Sequence, residues 1–192
     1  MDYFHAKQNI QPTKGDLLIS EPYLPDPNFD RTVVLICEHD KNGTFGYILN
    51  QLSETSIGEL IIDLEGNMHP VYVGGPVQQD TLHFIHKSRD NSIGGQEIGP
   101  GLFWGGDYER VIELIKLGLI SDSEFRFFMG YSGWGMHQLQ NEIDTKSWFI
   151  YKNPSTDMLF ETPAGELWQT ILNNLGGKFR MISKYPTDPR MN

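Results

Sequence analysis

Phe125 to Gln138 reads FRFFMGYSGWGMHQ, and the interpretation of this stretch decides the fold. Phe125–Met129 is a short, largely apolar run suited to a buried strand, and Met136, Leu139 and Ile143 then recur at helical spacing. Between them stand Gly130, Gly133 and Gly135, with Ser132 and Trp134 interleaved. Glycine at this density points to backbone angles or close approaches that a Cβ would forbid. The stretch therefore predicts a strand, a tight glycine turn and a helix. Such a turn presents free backbone N–H groups at a helix N-terminus, which suits a small anion. On this basis Gly130, Ser132, Gly133, Trp134, Gly135 and Gln138 are candidate ligand-binding residues.

The familiar fingerprints do not fit the turn. A dinucleotide pattern read from Gly133 needs a glycine where Gln138 stands, and no Gly-Lys-Ser/Thr of a P-loop is present. The esterase elbow begins correctly at Gly130-Tyr131-Ser132 but meets Trp134 at its last glycine position. Close backbone packing is an equally physical use of these glycines and is the reading the residues favour.

Working outward, Thr32–Glu38 (TVVLICE) is β-branched and nearly continuous, which predicts a central strand covered on both faces. Asn42-Gly43 is a hairpin signal, and Gly46–Asn50 is the expected return strand. Further strands are expected at Gly15–Glu21, Pro70–Val73, Thr81–Lys87 and Lys146–Tyr151, with a brief pairing at Gly101–Trp104. Pro70–Val73 runs into Gly74-Gly75-Pro76-Val77, a second hard turn after a strand, so Gly74 and Gly75 join the candidate ligand-binding set. Ser56 and Glu59 have capping-box spacing for a short helix. Asp107 precedes a helix with Tyr108, Val111, Ile112, Ile115 and Leu119 on one face and Gly118 near its end. Thr162-Pro163 opens a last helix that Gly176-Gly177 stops. Strands outnumber helices without strict alternation, which favours an α+β layout over a doubly wound one.

With 192 residues, 39% hydrophobic and 21% charged, the chain suits one domain with its own core. Residues 1–177 read as that domain, and 178–192 as a basic, loosely held tail. The tail has Lys178, Arg180, Lys184 and Arg190 against Asp188, a net of +3, and leaves −13 on the remainder of a chain whose formal charge is −10. That balance argues against nucleic acid as a partner. The lone cysteine, Cys37, allows no internal disulfide and fits a reducing compartment. Neither a signal peptide nor a membrane span is read, so a cytoplasmic location is expected.

Histidines and carboxylates supply the catalytic candidates. His83 and His86, three apart on a strand, point to opposite faces, as do Glu38 and His39, and Cys37 and Glu38. An acid/base or metal site, in a hydrolase or metal-dependent enzyme, needs Glu38, His39 and His83 to be brought together by the tertiary fold. No spacing motif for a metal or cofactor is present, and none is expected. The chain is read as a binding protein rather than an enzyme, with a small anionic ligand or a protein as its partner.

Four stretches taken together resemble the AlgH/YqgE family of bacterial proteins: GDLLISEPYLPDPNFDRTVVLICEHDKNGTFGYILN, VYVGGPVQQDTLHFIH, FRFFMGYSGWGMHQLQNEI and the strand around Trp148. The matching positions are Phe29, Glu38, His39, Gly43, Gly46, Asn50, Gly74–Val77, Leu82, His83, Gly130, Gly133, Trp134, Gly135, Gln138 and Leu139. Ser132, where the family more often has Ala, and His137, where it has a small residue, depart from the pattern. The first departure speaks against a shared Ser132 nucleophile. The resemblance implies a single-domain α+β fold: a bent mixed β-sheet with barrel-like closure, surrounded by helices. It also carries the label of a transcriptional regulator, behind which this sequence shows no DNA-binding motif.

Overall fold

The computed structural model describes residues 11–187. In chain order the elements are β1 (Leu17–Ser20), β2 (Val33–Asp40), β3 (Gly43–Ile48), β4 (Leu52–Ser56), α1 (Ile57–Leu60), β5 (Pro70–Val73) and β6 (Val77–His86). They continue with β7 (Gln96–Gly99), β8 (Leu102–Trp104), α2 (Tyr108–Lys116), β9 (Phe125–Gly135), α3 (Gln138–Asp144) and β10 (Trp148–Tyr151). Three helices end the described chain: α4 (Thr156–Glu161), α5 (Ala164–Leu175) and α6 (Gly177–Ile182).

The ten strands run in the order β10-β1-β2-β3-β9-β6-β8-β7, with β5 against β9 and β4 against β5. The β5–β9 pair is parallel and the other described pairs are antiparallel, so the sheet is mixed and the class is α+β. It is open, with β10 and β7 at its ends, and the barrel-like closure is corrected accordingly. The reason lies in β9. Up to Met129 one flank of β9 pairs with β5, and from Ser132 β9 pairs with β3. The sheet therefore forks at this strand, whereas a barrel needs one continuous ladder.

The central stretch is one eleven-residue strand, and the expected glycine turn is corrected here. Gly133 and Gly135 have ordinary extended backbones. A methyl at Gly133 meets only the Tyr131 ring, at 3.4 Å, and one at Gly135 only Gln138 Oε1, at 3.9 Å. The abrupt bend falls instead at His137, which has φ 61 just before α3. Gly130 is different: its φ is 66, and a Cβ there would lie 2.7 Å from the Val77 carbonyl oxygen and 2.8 Å from that of Gly75. Gly130 is the kink at which β9 passes from β5 to β3, and only glycine fits it.

Three apolar clusters clothe the sheet. Leu17, Ile19, Val33 and Leu35 pack beneath α4, α5 and α6 through Leu159, Leu167, Trp168 and Phe179. The alternate residues Leu18, Val34 and Ile36 pack under α3 with Trp134, Leu139 and Trp148. A third cluster joins α1 and α2 to Val71, Phe84 and Phe127. β2 is thus covered on both faces over Val33–Cys37, as its near-continuous apolar run requires.

Local signals place several ends. Ser56 and Glu59 form the capping box of α1, and Asp107 Oδ1 accepts from Arg110 N at 3.0 Å to cap α2. Leu119 and Met136, read as core-facing, are exposed because α2 ends at Lys116 and α3 begins at Gln138, and Tyr108, also read as core-facing, is exposed at the first position of α2. The segment from Lys178, read as a tail, carries α6, whose Phe179 joins the core, while Asp188 and Arg190 lie outside the described residues. No described helix is long and apolar enough to cross a membrane.

His86 carries a pH dependence in this scaffold. Its ring is buried between Phe103 and Phe125, with Nε2 within hydrogen-bonding distance of the Gly94 and Gly105 carbonyl oxygens and Nδ1 unpartnered. Burial lowers its pKa from the ordinary 6.5 and outweighs those two carbonyls. Below pH 6.5 the unfolded chain therefore binds more protons than the native one, so stability falls as pH drops. Urea midpoints are expected to decline from pH 7.5 to 5, and the decline is expected to be shallower in His86→Phe.

Candidate functional site

The β2–β3 hairpin and the second half of β9 lie side by side, which brings together segments some ninety residues apart. Three cross-strand rows result: Asp40–Gly43–Gly135, His39–Thr44–Trp134 and Glu38–Phe45–Gly133. Directly opposed residues share a face, so neighbouring rows point to opposite sides. The register shifts between Ile36 and Glu38, and the extra residue is Cys37. This bulge corrects one expectation: Cys37 belongs to the core cluster on which Phe45 packs, and Glu38 stands opposite Phe45, so the two share a side. Burial raises the Cys37 thiol pKa well above its ordinary value, which leaves it an inert core residue.

The Glu38 row opens onto a cleft of about 530 Å³ lined by Glu38, Asp40, Asn42, Phe45, Tyr131 and Gly133, with Val77 and Trp134 adjoining. Glu38 is exposed and, among the described residues, makes no ion pair. Asp40 is held ionised below the ordinary carboxylate range, chiefly by the backbone N–H of Asn42, which donates to its Oδ1 at 2.7 Å. Phe45 meets Tyr131 edge-on at 6.0 Å and Trp104 at 4.7 Å. Behind them Trp104 Nε1 donates to the Tyr47 hydroxyl at 2.8 Å, which ties the aromatic wall to the core. The lining has two carboxylates and no Lys, Arg or His.

The catalytic candidates do not meet. His39 points away from Glu38 and shares a 2.6 Å hydrogen bond with Thr44 Oγ1. His83 Nε2 bonds Thr81 Oγ1 at 2.8 Å, its ring lies against Tyr47 and Tyr131, and it is not part of the cleft lining. Desolvation lowers its pKa. Among the described residues no group of three or more His, Cys, Asp or Glu side chains is placed to hold a metal ion.

The glycine candidates do meet, but mostly in the interior. Ser132 is fully buried and its Oγ donates to the Gly74 carbonyl at 3.0 Å. A Cβ on Gly75 would fall 2.3 Å from the Tyr131 carbonyl. Gly74, Gly75, Gly130 and Ser132 thus form a buried backbone-to-backbone junction, and of the candidate set Gly133 and Trp134 line the cleft. Gln138 Oε1 accepts from Gly135 N at 3.0 Å and secures the entry to α3. Trp134 Nε1 and Trp148 Nε1 both donate to Glu142 Oε2, at 2.8 and 2.7 Å, so one carboxylate of α3 clasps two indoles of the sheet.

Asp40, Phe45 and Tyr131 join the site although nothing in their local sequence marks them. Their signal was the pairing of the hairpin with β9, which no local pattern reveals. Arg126 is likewise unmarked in the local sequence. That guanidinium is buried, stacks over Tyr72 and Phe160, donates to the Leu49 and Phe160 carbonyls, and lacks a carboxylate partner among the described residues. Burial lowers its pKa.

The forked, open mixed sheet is that of a class of single-domain α+β protein already seen in solved structures. A protein from Corynebacterium diphtheriae superposes with TM-score 0.75 at 22% identity, covering 95% of this chain and 97% of that one. The AlgH protein from Pseudomonas aeruginosa gives 0.72 at 26% identity, covering 93% and 98%. The AlgH-like family, DUF179, matches residues 17–180, and the chain belongs to it. Among its relatives, a UPF0301 protein from Cytophaga hutchinsonii is 42% identical over 182 residues, 94% of this chain and 99% of that protein. Another from Chlorobium limicola is 40% identical over 178 residues, 93% and 95% respectively.

Proposed function

We propose that the protein is a non-catalytic binding protein of the cytoplasm, with a regulatory role exerted by gripping a Lys or Arg side chain of a partner protein in the cleft of Glu38, Asp40, Phe45 and Tyr131. The observation that carries this reading is the lining itself: two carboxylates beside aromatic rings, with no cationic side chain among them. Glu38, which makes no ion pair among the described residues, and Asp40, whose ionised form Lys41 also favours, attract a cation, and aromatic faces add cation–π attraction. Arginine fits better than lysine, since its planar group both stacks and forks onto a carboxylate. The same lining turns the reading away from a small anion. Buried, disulfide-free Cys37 accords with a reducing cytoplasm.

Calorimetric titration with N-acetyl-arginine amide is expected to give a dissociation constant on the order of 1 mM, the weak end of measurable binding. Glu38→Gln is expected to weaken it about fivefold, an effect of roughly 1 kcal/mol. Equal binding of N-acetyl-aspartate amide, or no change in Glu38→Gln, would sink the proposal.

A further inference from the structure

A second surface, separate from the cleft, carries an inference that goes beyond that reading. Leu60, Ile62, Met68, Leu117 and Leu119 are 39%, 94%, 80%, 66% and 63% exposed, and they are five of the ten large hydrophobic side chains exposed among the described residues. They belong to two segments that the fold holds together. Lys116 Nζ bonds Asp63 Oδ2 at 3.2 Å, and His69 Nδ1 bonds Asp122 Oδ1, so the loop after α1 lies along the end of α2. Isolated exposed apolar side chains are ordinary, but a cluster of this kind marks an interaction site. The charges around it are one-sided. Glu59, Asp63, Glu65, Glu109, Glu113 and Asp122 stand on these segments against Arg110, which Glu113 and Asp90 occupy, and Lys116, which Asp63 occupies, so acids outnumber bases by six to two.

We infer that this face docks an amphipathic helix of a partner protein, with apolar residues seated on Ile62, Met68 and Leu117 and a basic flank facing the acidic rim. Charge complementarity selects the occupant. A second copy of this chain would bring like-charged rims together, and an anionic lipid surface would be repelled, whereas a basic amphipathic helix satisfies both the apolar centre and its border. Leu60 and Ile62 are exposed while Ile57 and Leu64 of the same stretch are buried, so the segment turns one apolar side to the core and one to solvent.

The test uses the full chain and two synthetic helices of equal positive charge, one of Leu and Lys and one of Ser and Lys. The Leu/Lys helix is expected to bind at least about tenfold more tightly than the Ser/Lys helix. The double variant Ile62→Ser/Met68→Ser is expected to lose about tenfold for the Leu/Lys helix, while Met181→Ser, at an exposed apolar position of α6 outside both surfaces, leaves that affinity unchanged. Both positions are exposed, so the double variant keeps the fold, which a circular dichroism melt checks. Equal affinity for the two helices overturns the inference. So does a monomer–dimer equilibrium abolished by the double variant, or tighter association with phosphatidylglycerol vesicles than with the Leu/Lys helix.

Discussion

Gly130→Ala is expected to destabilise the protein by about 3 kcal/mol or more, while Gly133→Ala, three residues along the same strand, changes stability by less than about 1 kcal/mol. At Gly130 the left-handed backbone alone costs an L-residue roughly 1–2 kcal/mol. Added to this, the Cβ would press on two carbonyl oxygens at 2.7 and 2.8 Å, both from backbone that cannot swing aside. Those carbonyls belong to Gly75 and Val77, so relief of the clash would pull apart the junction where β5 leads into β6. At Gly133 the nearest atom is a ring carbon of Tyr131, at ordinary contact distance. Urea unfolding of the two variants measures the difference directly. Equal stabilities would mean that β9 does not kink at Gly130.

Glu142→Ala has the second large effect, with an expected loss of about 2–4 kcal/mol. One oxygen of this carboxylate receives both indole N–H groups, and its other oxygen receives Gln138 Nε2 at 3.0 Å. Hydrogen bonds to a charged acceptor contribute roughly 1.5–3 kcal/mol each, and removal of the carboxylate strands two donors in a largely apolar setting. Phe29 stacks on Trp134 and meets Trp148 edge-on, so the indoles have little freedom to find other acceptors. Glu142→Gln keeps an acceptor oxygen and is expected to lose less than half as much. Chemical unfolding gives the magnitude, and a red shift of tryptophan emission in the folded Ala variant would show the indoles wetted. An unshifted spectrum and unaltered stability would show that α3 is held by Leu139 and Trp148 packing alone.

Much of the architecture is legible from the chain. β1, β2, β3, β5, β6 and β10 carry β-branched or alternating runs, and α1 and α2 carry caps in the expected positions. The omitted elements have no such signal. β4 reads LSETS and β7 reads QEIG, edge segments whose polar residues resemble loops, and α4 lacks a recognisable apolar stripe. The misread stretch is more instructive. Three glycines between an apolar run and a helix looked like one turn, yet β9 continues through them because β3 supplies a new partner where β5 ends. Partner exchange is a property of the sheet and leaves no local trace in the strand. The site was half legible for the same reason. Glu38, Gly133 and Trp134 stand out within their own motifs, while the cleft's aromatic wall depends on Tyr131 reaching Phe45 and Phe45 reaching Trp104 across three strands. The bulge at Cys37, which turns Glu38 onto that wall, was equally invisible.

Entry of a cation between Glu38 and Tyr131 is tested most directly by amide chemical-shift mapping with N-acetyl-arginine amide. Shifts confined to Glu38–Phe45, Val77 and Tyr131–Trp134, absent in Glu38→Gln, are the predicted result. Shifts scattered over the acidic surface, or centred on other residues and indifferent to Glu38, would contradict it.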